Sequence, residues 1–243
     1  MQLVIAEKPS VARSIAVVID AKERKNGYLQ GGGYIVSWCV GHLMELAQPE
    51  VYDPKYTTWR REDLPILPKR WRYTVPGDKE KQLKILRGLM ARGDVNDIVC
   101  ATDAGREGEL IFRLVYAHCG CTKPVKRLWI SSMEENTIAE GFRSLKDSSE
   151  YDNLHQSALC RSQADWLVGI NATRLFSVLY GQTLHVGRVQ SPTLAMLVNR
   201  EAEIAAFTPT PFCNVVIVLN GFAATSERLQ DKTTVEHIRD TCL

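Results

Sequence analysis

Two strand–turn–helix units constrain this chain more than any other feature. The first is the apolar run Leu3-Val4-Ile5-Ala6, followed by Glu7-Lys8-Pro9-Ser10 and a helical stretch over about residues 9 to 20. The second is Ile98-Val99-Cys100-Ala101, followed by Asp103-Ala104-Gly105-Arg106-Glu107-Gly108-Glu109 and a helix from about 106 to 118. Short, continuously apolar strands are buried on both faces, as in a parallel sheet. Such a sheet lines up its strand ends along one edge, where open α/β folds hold their ligands. Each unit brings carboxylate and cation to that edge, so a single site is expected there.

The intervening sequence fits the same class. Tyr28-Leu29-Gln30 and Tyr34 to Val40 flank a Gly31-Gly32-Gly33 turn and read as a hairpin. Residues 47 to 77 contain Pro49, Pro54, Pro65, Pro68 and Pro76 and read as a long, mostly irregular excursion. Residues 78 to 92 form a basic amphipathic helix with Leu83, Leu86 and Met90 on its apolar side. Val125 to Ser131 reads as a further strand, and Thr137 to Leu145 as a further helix. Alternation of strand and helix up to residue 146 indicates a mixed α/β sheet with flanking helices. Residues 153 to 180 switch to long helical periodicity, and a second helix is expected from Pro192 to Ala206. The tail, Phe212 to Ala224, alternates toward strand.

Charge and cysteine usage narrow the partners. The formal net charge is only +2, but residues 55 to 92 hold eleven Lys or Arg against four Asp or Glu, with Trp59, Trp71 and Tyr73 among them. This mixture suits a nucleic-acid surface and equally a solvated helical face. Seven scattered cysteines, odd in number, read as reduced thiols of a cytosolic protein. No apolar run is long enough to span a membrane, and Met1 stands almost on a core strand, which speaks against a cleaved leader.

Asp103 ends a strand, and Glu107 lies one helical turn on. With Glu7 they form a set of hard oxygen donors suited to Mg²⁺, which keeps water or phosphate for its remaining positions. Lys8 and Arg106 would face a phosphodiester. The alternative is helix capping by Asp103 with Glu107 solvated. Glu109 reads as a first-turn acid favoured by the helix dipole. The five histidines, including His42, form no visible ligand set, and His42 reads as a packing or supporting residue.

Glu7 to Ser10, Gly41-His42-Leu43 and Asp103 to Glu109 together resemble a Toprim domain, the nucleotidyl-transfer fold of type IA DNA topoisomerases and bacterial primases. Residues 161 to 174 (RSQADWLVGINATR) and 186 to 194 (VGRVQSPTL) resemble the helical DNA-binding region of the type IA enzymes, in particular the topoisomerase III group of bacteria and plasmids. The resemblance spans nearly the whole chain, in order. It implies a Toprim domain over residues 1 to 150, part of the helical DNA-binding domain over 151 to 207, and the start of a β-rich hinge domain over 208 to 243. It implies transient cleavage of single-stranded DNA through a 5′-phosphotyrosyl bond, strand passage and religation. Glu7 would transfer a proton beside the scissile phosphate, and Lys8 would stabilise its charge. Glu7, Asp103 and Glu107 would hold Mg²⁺. Arg106, Arg161, Asp165, Arg188, Gln190 and Ser191 would hold DNA. A cytoplasmic, nucleoid-associated enzyme is implied, with further C-terminal domains as partners of this part.

Two departures from the family pattern stand out. Gly105 occupies the position of a second aspartate, so weaker Mg²⁺ binding is expected. The eight tyrosines, at 28, 34, 52, 56, 73, 116, 151 and 180, lack the Pro-Arg-Thr setting of the nucleophile. The chain is therefore expected to be an N-terminal part that does not relax DNA alone. A single-stranded DNA-binding fragment without catalysis is the other reading. A different Toprim enzyme, a primase or small nuclease, is opposed by residues 161 to 194.

Overall fold

The computed structural model describes residues 1–242, which divide into two compact units, Met1–Arg188 and a second beginning at Val189. In the first unit the elements run β1 (Gln2–Ala6), α1 (Pro9–Val18), β2 (Glu23–Lys25), β3 (Tyr28–Gly31), β4 (Tyr34–Trp38), β5 (Glu45–Leu46), α2 (Pro49–Tyr52) and β6 (Tyr73–Thr74). They continue with α3 (Glu80–Met90), β7 (Asp97–Ala101), α4 (Arg106–His118), β8 (Val125–Arg127), α5 (Glu135–Arg143), β9 (Lys146–Asp147) and α6 (Asp152–Tyr180). The second unit holds α7 (Gln190–Ala205), the hairpin β10 (Val216–Leu219) and β11 (Phe222–Thr225), and α8 (Lys232–Thr241).

Seven strands form one mixed sheet in the order β2-β3-β4-β1-β7-β8-β9. The four central strands, β4, β1, β7 and β8, are parallel. In register, Ala6 of β1 lies between Trp38 of β4 and Ala101 of β7, so three strands end level with one another. The period of two sorts the apolar runs onto two faces. Leu3, Ile5, Ile35, Ile98 and Cys100 pack against α3 and α4, through Leu83, Leu86, Ile111 and Phe112. Val4, Ala6, Val36, Val99 and Ala101 pack against Ala12, Ile15 and Ala16 of α1 and Ile138 of α5. Helices on both faces explain why β1 and β7 carry no polar alternation.

One expectation needs correction. The strand expected from Val125 to Ser131 ends at Arg127, where that side chain turns onto the carbonyls of β7 and the loop after it. The excursion expected to be mostly irregular is so, with four short elements in it: α2, two 3-10 turns (Pro54–Thr57 and Arg61–Asp63) and β6, which pairs with β5. Its order comes from α6. Trp166 Nε1 donates to the Ala47 carbonyl at 3.1 Å. The Asn171 amide accepts from the Ile66 N–H at 2.6 Å and donates to the Ile66 carbonyl at 3.1 Å. Buried Arg174 donates to the Tyr56 carbonyl at 2.6 Å and pairs with Glu50 at 2.7 Å. All seven cysteines are free thiols, and burial pushes those of Cys39 and Cys100 up. No helix among the described residues is long and apolar enough to cross a membrane.

Candidate active site

The chain passes from β1 to β4 on one side of the sheet and then to β7 on the other. Such a reversal opens a crevice beyond the strand ends, because the connections diverge there. Glu7 follows β1, Gly41 and His42 lie just beyond β4, and Thr102 and Asp103 follow β7. The Gly41 amide donates to the Glu7 carbonyl at 3.3 Å, so the β4 exit crosses over the β1 exit.

Glu7, largely buried, accepts a hydrogen bond from the Asp103 amide at 3.3 Å. Lys8 Nζ donates to Asp103 Oδ2 at 3.3 Å and stands 3.5 Å from Glu7 Oε1, so one ammonium bridges two carboxylates. The bond to Asp103 and the charges of Asp103 and Glu7 hold the Lys8 ammonium above the usual lysine range. Glu107 is exposed in the first turn of α4 and bonds to His42 Nε2. His42 is thus a support at the site, and Arg106 is exposed beside it on the first turn of α4. The capping alternative does not hold, because Gly105 occupies the N-cap and no side chain bonds there.

Two glycines shape this loop differently. A methyl group at Gly108 would stand 2.2 Å from the Asp103 carbonyl oxygen, and Thr102 Oγ1 donates to the Gly108 carbonyl at 2.7 Å. Close approach of loop to helix therefore requires glycine at 108. Gly105 has extended backbone (φ 177°, ψ 175°) and open space around it. Nothing in the backbone imposes the missing carboxylate.

Beneath the loop lies a buried ionic network that inspection of the sequence missed. Arg127, fully buried, donates through Nη1 to the carbonyls of Cys100 (3.0 Å), Thr102 (2.8 Å) and Leu128 (2.9 Å), and through Nη2 to that of Asp103 (2.8 Å). Glu109 stands in the first turn of α4, as expected, and is also fully buried. Its Oε2 faces Arg127 Nε at 3.1 Å, an ion pair without the alignment of a hydrogen bond, while Oε1 accepts from Arg113 Nε at 2.8 Å. Burial of a charge demands such partners, and that cost outweighs the small gain from the dipole. The one signal in the sequence was an arginine inside a predicted strand.

The carboxylates Glu7, Asp103 and Glu107 offer hard oxygen donors, which fit Mg²⁺ in kind. Among the described residues no three His, Cys, Asp or Glu side chains converge closely enough to hold a metal. Glu7 and Asp103 face Lys8, and Glu107 faces His42.

Arg161, Asp165 and Arg188 come together along α6. Arg188 Nη2 donates to Asp165 Oδ2 at 3.1 Å, its Nε donates to Oδ1, and Arg161 Nε lies 3.9 Å from Asp165. The Arg188 hydrogen bond holds the Asp165 carboxyl below the usual range. Thr173 and Ser177 bond the backbone of Val186 and Leu184, so residues spaced four apart on α6 seat the returning segment that ends in Arg188. Gln190 and Ser191 open α7 in the second unit.

Comparison with known proteins gives a consistent result. The Toprim domain family matches residues 2–133, and the DNA topoisomerase family matches residues 149–242. DNA topoisomerase 3 of Bacillus subtilis (strain 168) is 47% identical over 232 residues, covering 96% of this chain and 32% of that protein. DNA topoisomerase 3 of Staphylococcus aureus (strain MRSA252) is 45% identical over 239 residues, covering 97% of this chain and 34% of that protein. The chain spans about a third of the length of these relatives. Full-length topoisomerase I from Thermotoga maritima superposes with a TM-score of 0.63 at 23% identity, over 97% of this chain and 37% of that one, which shows the shared fold.

Proposed function

The chain belongs to the Toprim family and is a homologue of the type IA DNA topoisomerase 3 enzymes, and from that premise we propose that the whole protein cuts one DNA strand transiently, passes a second strand and reseals the break. The contact of Glu7, Lys8 and Asp103 at the level ends of β1 and β7 carries this reading. The covalent intermediate is a 5′-phosphotyrosyl bond, formed by a tyrosine outside this chain.

Glu7 relays the proton released by the attacking tyrosine to the departing 3′ oxygen, a step that needs a positioned acid. The Lys8 ammonium, on a flexible stem, turns from Asp103 to the scissile phosphate and stabilises charge developing there. Glu7, Asp103 and Glu107, once released from Lys8 and His42, would draw together to hold Mg²⁺, which supplies positive charge against the phosphodiester when bound. Arg106, Arg161 and Arg188 bind backbone phosphates, Asp165 orients Arg161 and Arg188, and Gln190 and Ser191, at the start of α7, bind DNA as well. In this reading residues 1–150 form the Toprim domain, 151–207 part of the helical DNA-binding domain and 208–243 the start of the hinge domain. The enzyme acts on DNA in the cytoplasm.

The test is a chimera in which this chain replaces the corresponding third of the Bacillus subtilis relative. It is expected to relax negatively supercoiled plasmid, and Glu7→Ala within it is expected to abolish relaxation. A chimera that folds, binds single-stranded DNA and leaves the plasmid untouched would refute the reading.

A further inference from the structure

Arg113 lies midway along α4, and its guanidinium joins three places in the fold. Nε donates to Glu109 Oε1 at 2.8 Å, Nη2 donates to the Ser148 carbonyl at 2.6 Å, and Nη1 stands 2.8 Å from Asp152 Oδ1. Glu109 carries this contact inward to Arg127, which holds the carbonyls of Thr102 and Asp103. Ser148 and Asp152 carry it outward. Ser148 opens the 3-10 turn Ser148–Tyr151, and Asp152 opens α6.

A second link joins the same two places. The Tyr151 ring stacks on that of Trp129, with centroids 4.7 Å apart. The Arg127 guanidinium stands 5.1 Å from the centre of the Trp129 ring and 6.0 Å from that of Tyr151. The start of α6 is therefore clamped to the Asp103 loop by an ionic link and an aromatic one, which meet at Arg127. An arginine with three fixed acceptors holds angle as well as distance, because its donors form a rigid planar fork.

Farther along α6, Asp165 holds Arg188 and lies near Arg161. The helix is unbroken from Asp152 to Tyr180, so Asp165 stands about 20 Å along its axis from Asp152. A stiff spacer thus separates the Asp103 loop from the arginine pair. We infer that Arg113 is a positioning residue: by fixing the start of α6 to the Asp103 loop, it sets the span between those arginines and the carboxylates, and so decides which phosphodiester meets Glu7 and Asp103. That role rests on the strand-cleavage reading. Arg113 acts at a distance, through Glu109 and Arg127 on one side and Asp152 on the other.

Hydrogen exchange on the chain as it stands tests the link without any activity. Asp152→Ala removes a largely exposed carboxylate and leaves Arg113 with Glu109 and Ser148. It is expected to speed amide exchange over residues 103–108 severalfold, although those amides lie on another element. Glu150→Ala is the control, because Glu150 faces Lys146 at 4.0 Å instead, and it is expected to leave those amides unchanged. In the chimera, Arg113→Gln is expected to lower kcat for relaxation about tenfold or more with KM for DNA unchanged, and to spread cutting over neighbouring phosphodiesters of an oligonucleotide. Asp152→Ala is expected to show a smaller change of the same kind. Unchanged exchange over residues 103–108 in Asp152→Ala would overturn the inference, and so would equal acceleration in Glu150→Ala. A rise in KM with kcat and cut position unchanged would also overturn it. A parent chimera that folds and leaves DNA uncut would reject the strand-cleavage reading, a failure that the exchange result keeps distinct from failure of the Arg113 link.

Discussion

Lys8 Nζ lies 3.3 Å from Asp103 Oδ2, so the site's own ammonium occupies the carboxylate that the cleavage reading assigns to a cation. Both side chains are about half exposed, so the pair is weak and exchangeable. Replacing Lys8 with alanine is expected to tighten Mn²⁺ or Mg²⁺ binding several-fold, because the competitor is gone. Calorimetric titration checks this, and unchanged or weaker binding would count against it.

Gly105 offers a complementary change. Its backbone is extended and its surroundings are open, so Gly105→Asp is expected to change stability by no more than about 0.5 kcal/mol. The added carboxylate is expected to raise affinity for divalent cations. Thermal unfolding and calorimetry on the same sample separate the two effects.

Arg127 ties β7, the Asp103 loop and Glu109 together from within the core. Arg127→Met removes a buried charge and leaves Glu109 with Arg113 as its remaining cation. A loss of about 3–5 kcal/mol is expected from breaking a buried pair at one end. Denaturant unfolding measures it, and the double variant with Glu109→Gln is expected to recover part of the loss.

His155 gives a pH dependence. Burial first, and the Arg113 charge second, hold its imidazole below the ordinary value of 6.5. The folded state therefore resists a proton that the unfolded chain accepts. Stability is at its full value above about pH 6.5 and falls as the pH drops through that value toward the lower folded one. Melting temperatures from pH 7.5 to 5.5 are expected to decline, less steeply in His155→Gln than in the parent.

How much of this was legible beforehand varied by residue. β1 and β7 were evident because continuous apolar runs leave no other burial pattern, and their acidic exits followed directly. The pairing of Glu7 with Asp103 required β1 and β7 to be neighbours, which residue types suggest only indirectly. β2, Glu23-Arg24-Lys25, is an all-charged edge strand and carries no hydrophobic signal. The order in residues 47 to 77 is imposed by Trp166, Asn171 and Arg174, roughly a hundred residues away along the chain. A local reading of Pro-rich sequence misses such anchors. Those three residues lie in the stretch that resembles a DNA-binding motif, yet they face protein. The burial of Glu109 was hidden for a related reason: a dipole argument looks at one helix, whereas Arg127 arrives from another strand.

The central claim is that Glu7, Asp103 and Glu107 act together as one site for a cation and a phosphodiester. Mn²⁺ titration of the chain, followed by electron paramagnetic resonance with and without single-stranded DNA, tests it most directly. The parent is expected to bind Mn²⁺ more tightly when DNA is present, and Asp103→Asn is expected to lose both the binding and its enhancement. Identical titration curves for the parent and Asp103→Asn would contradict the account.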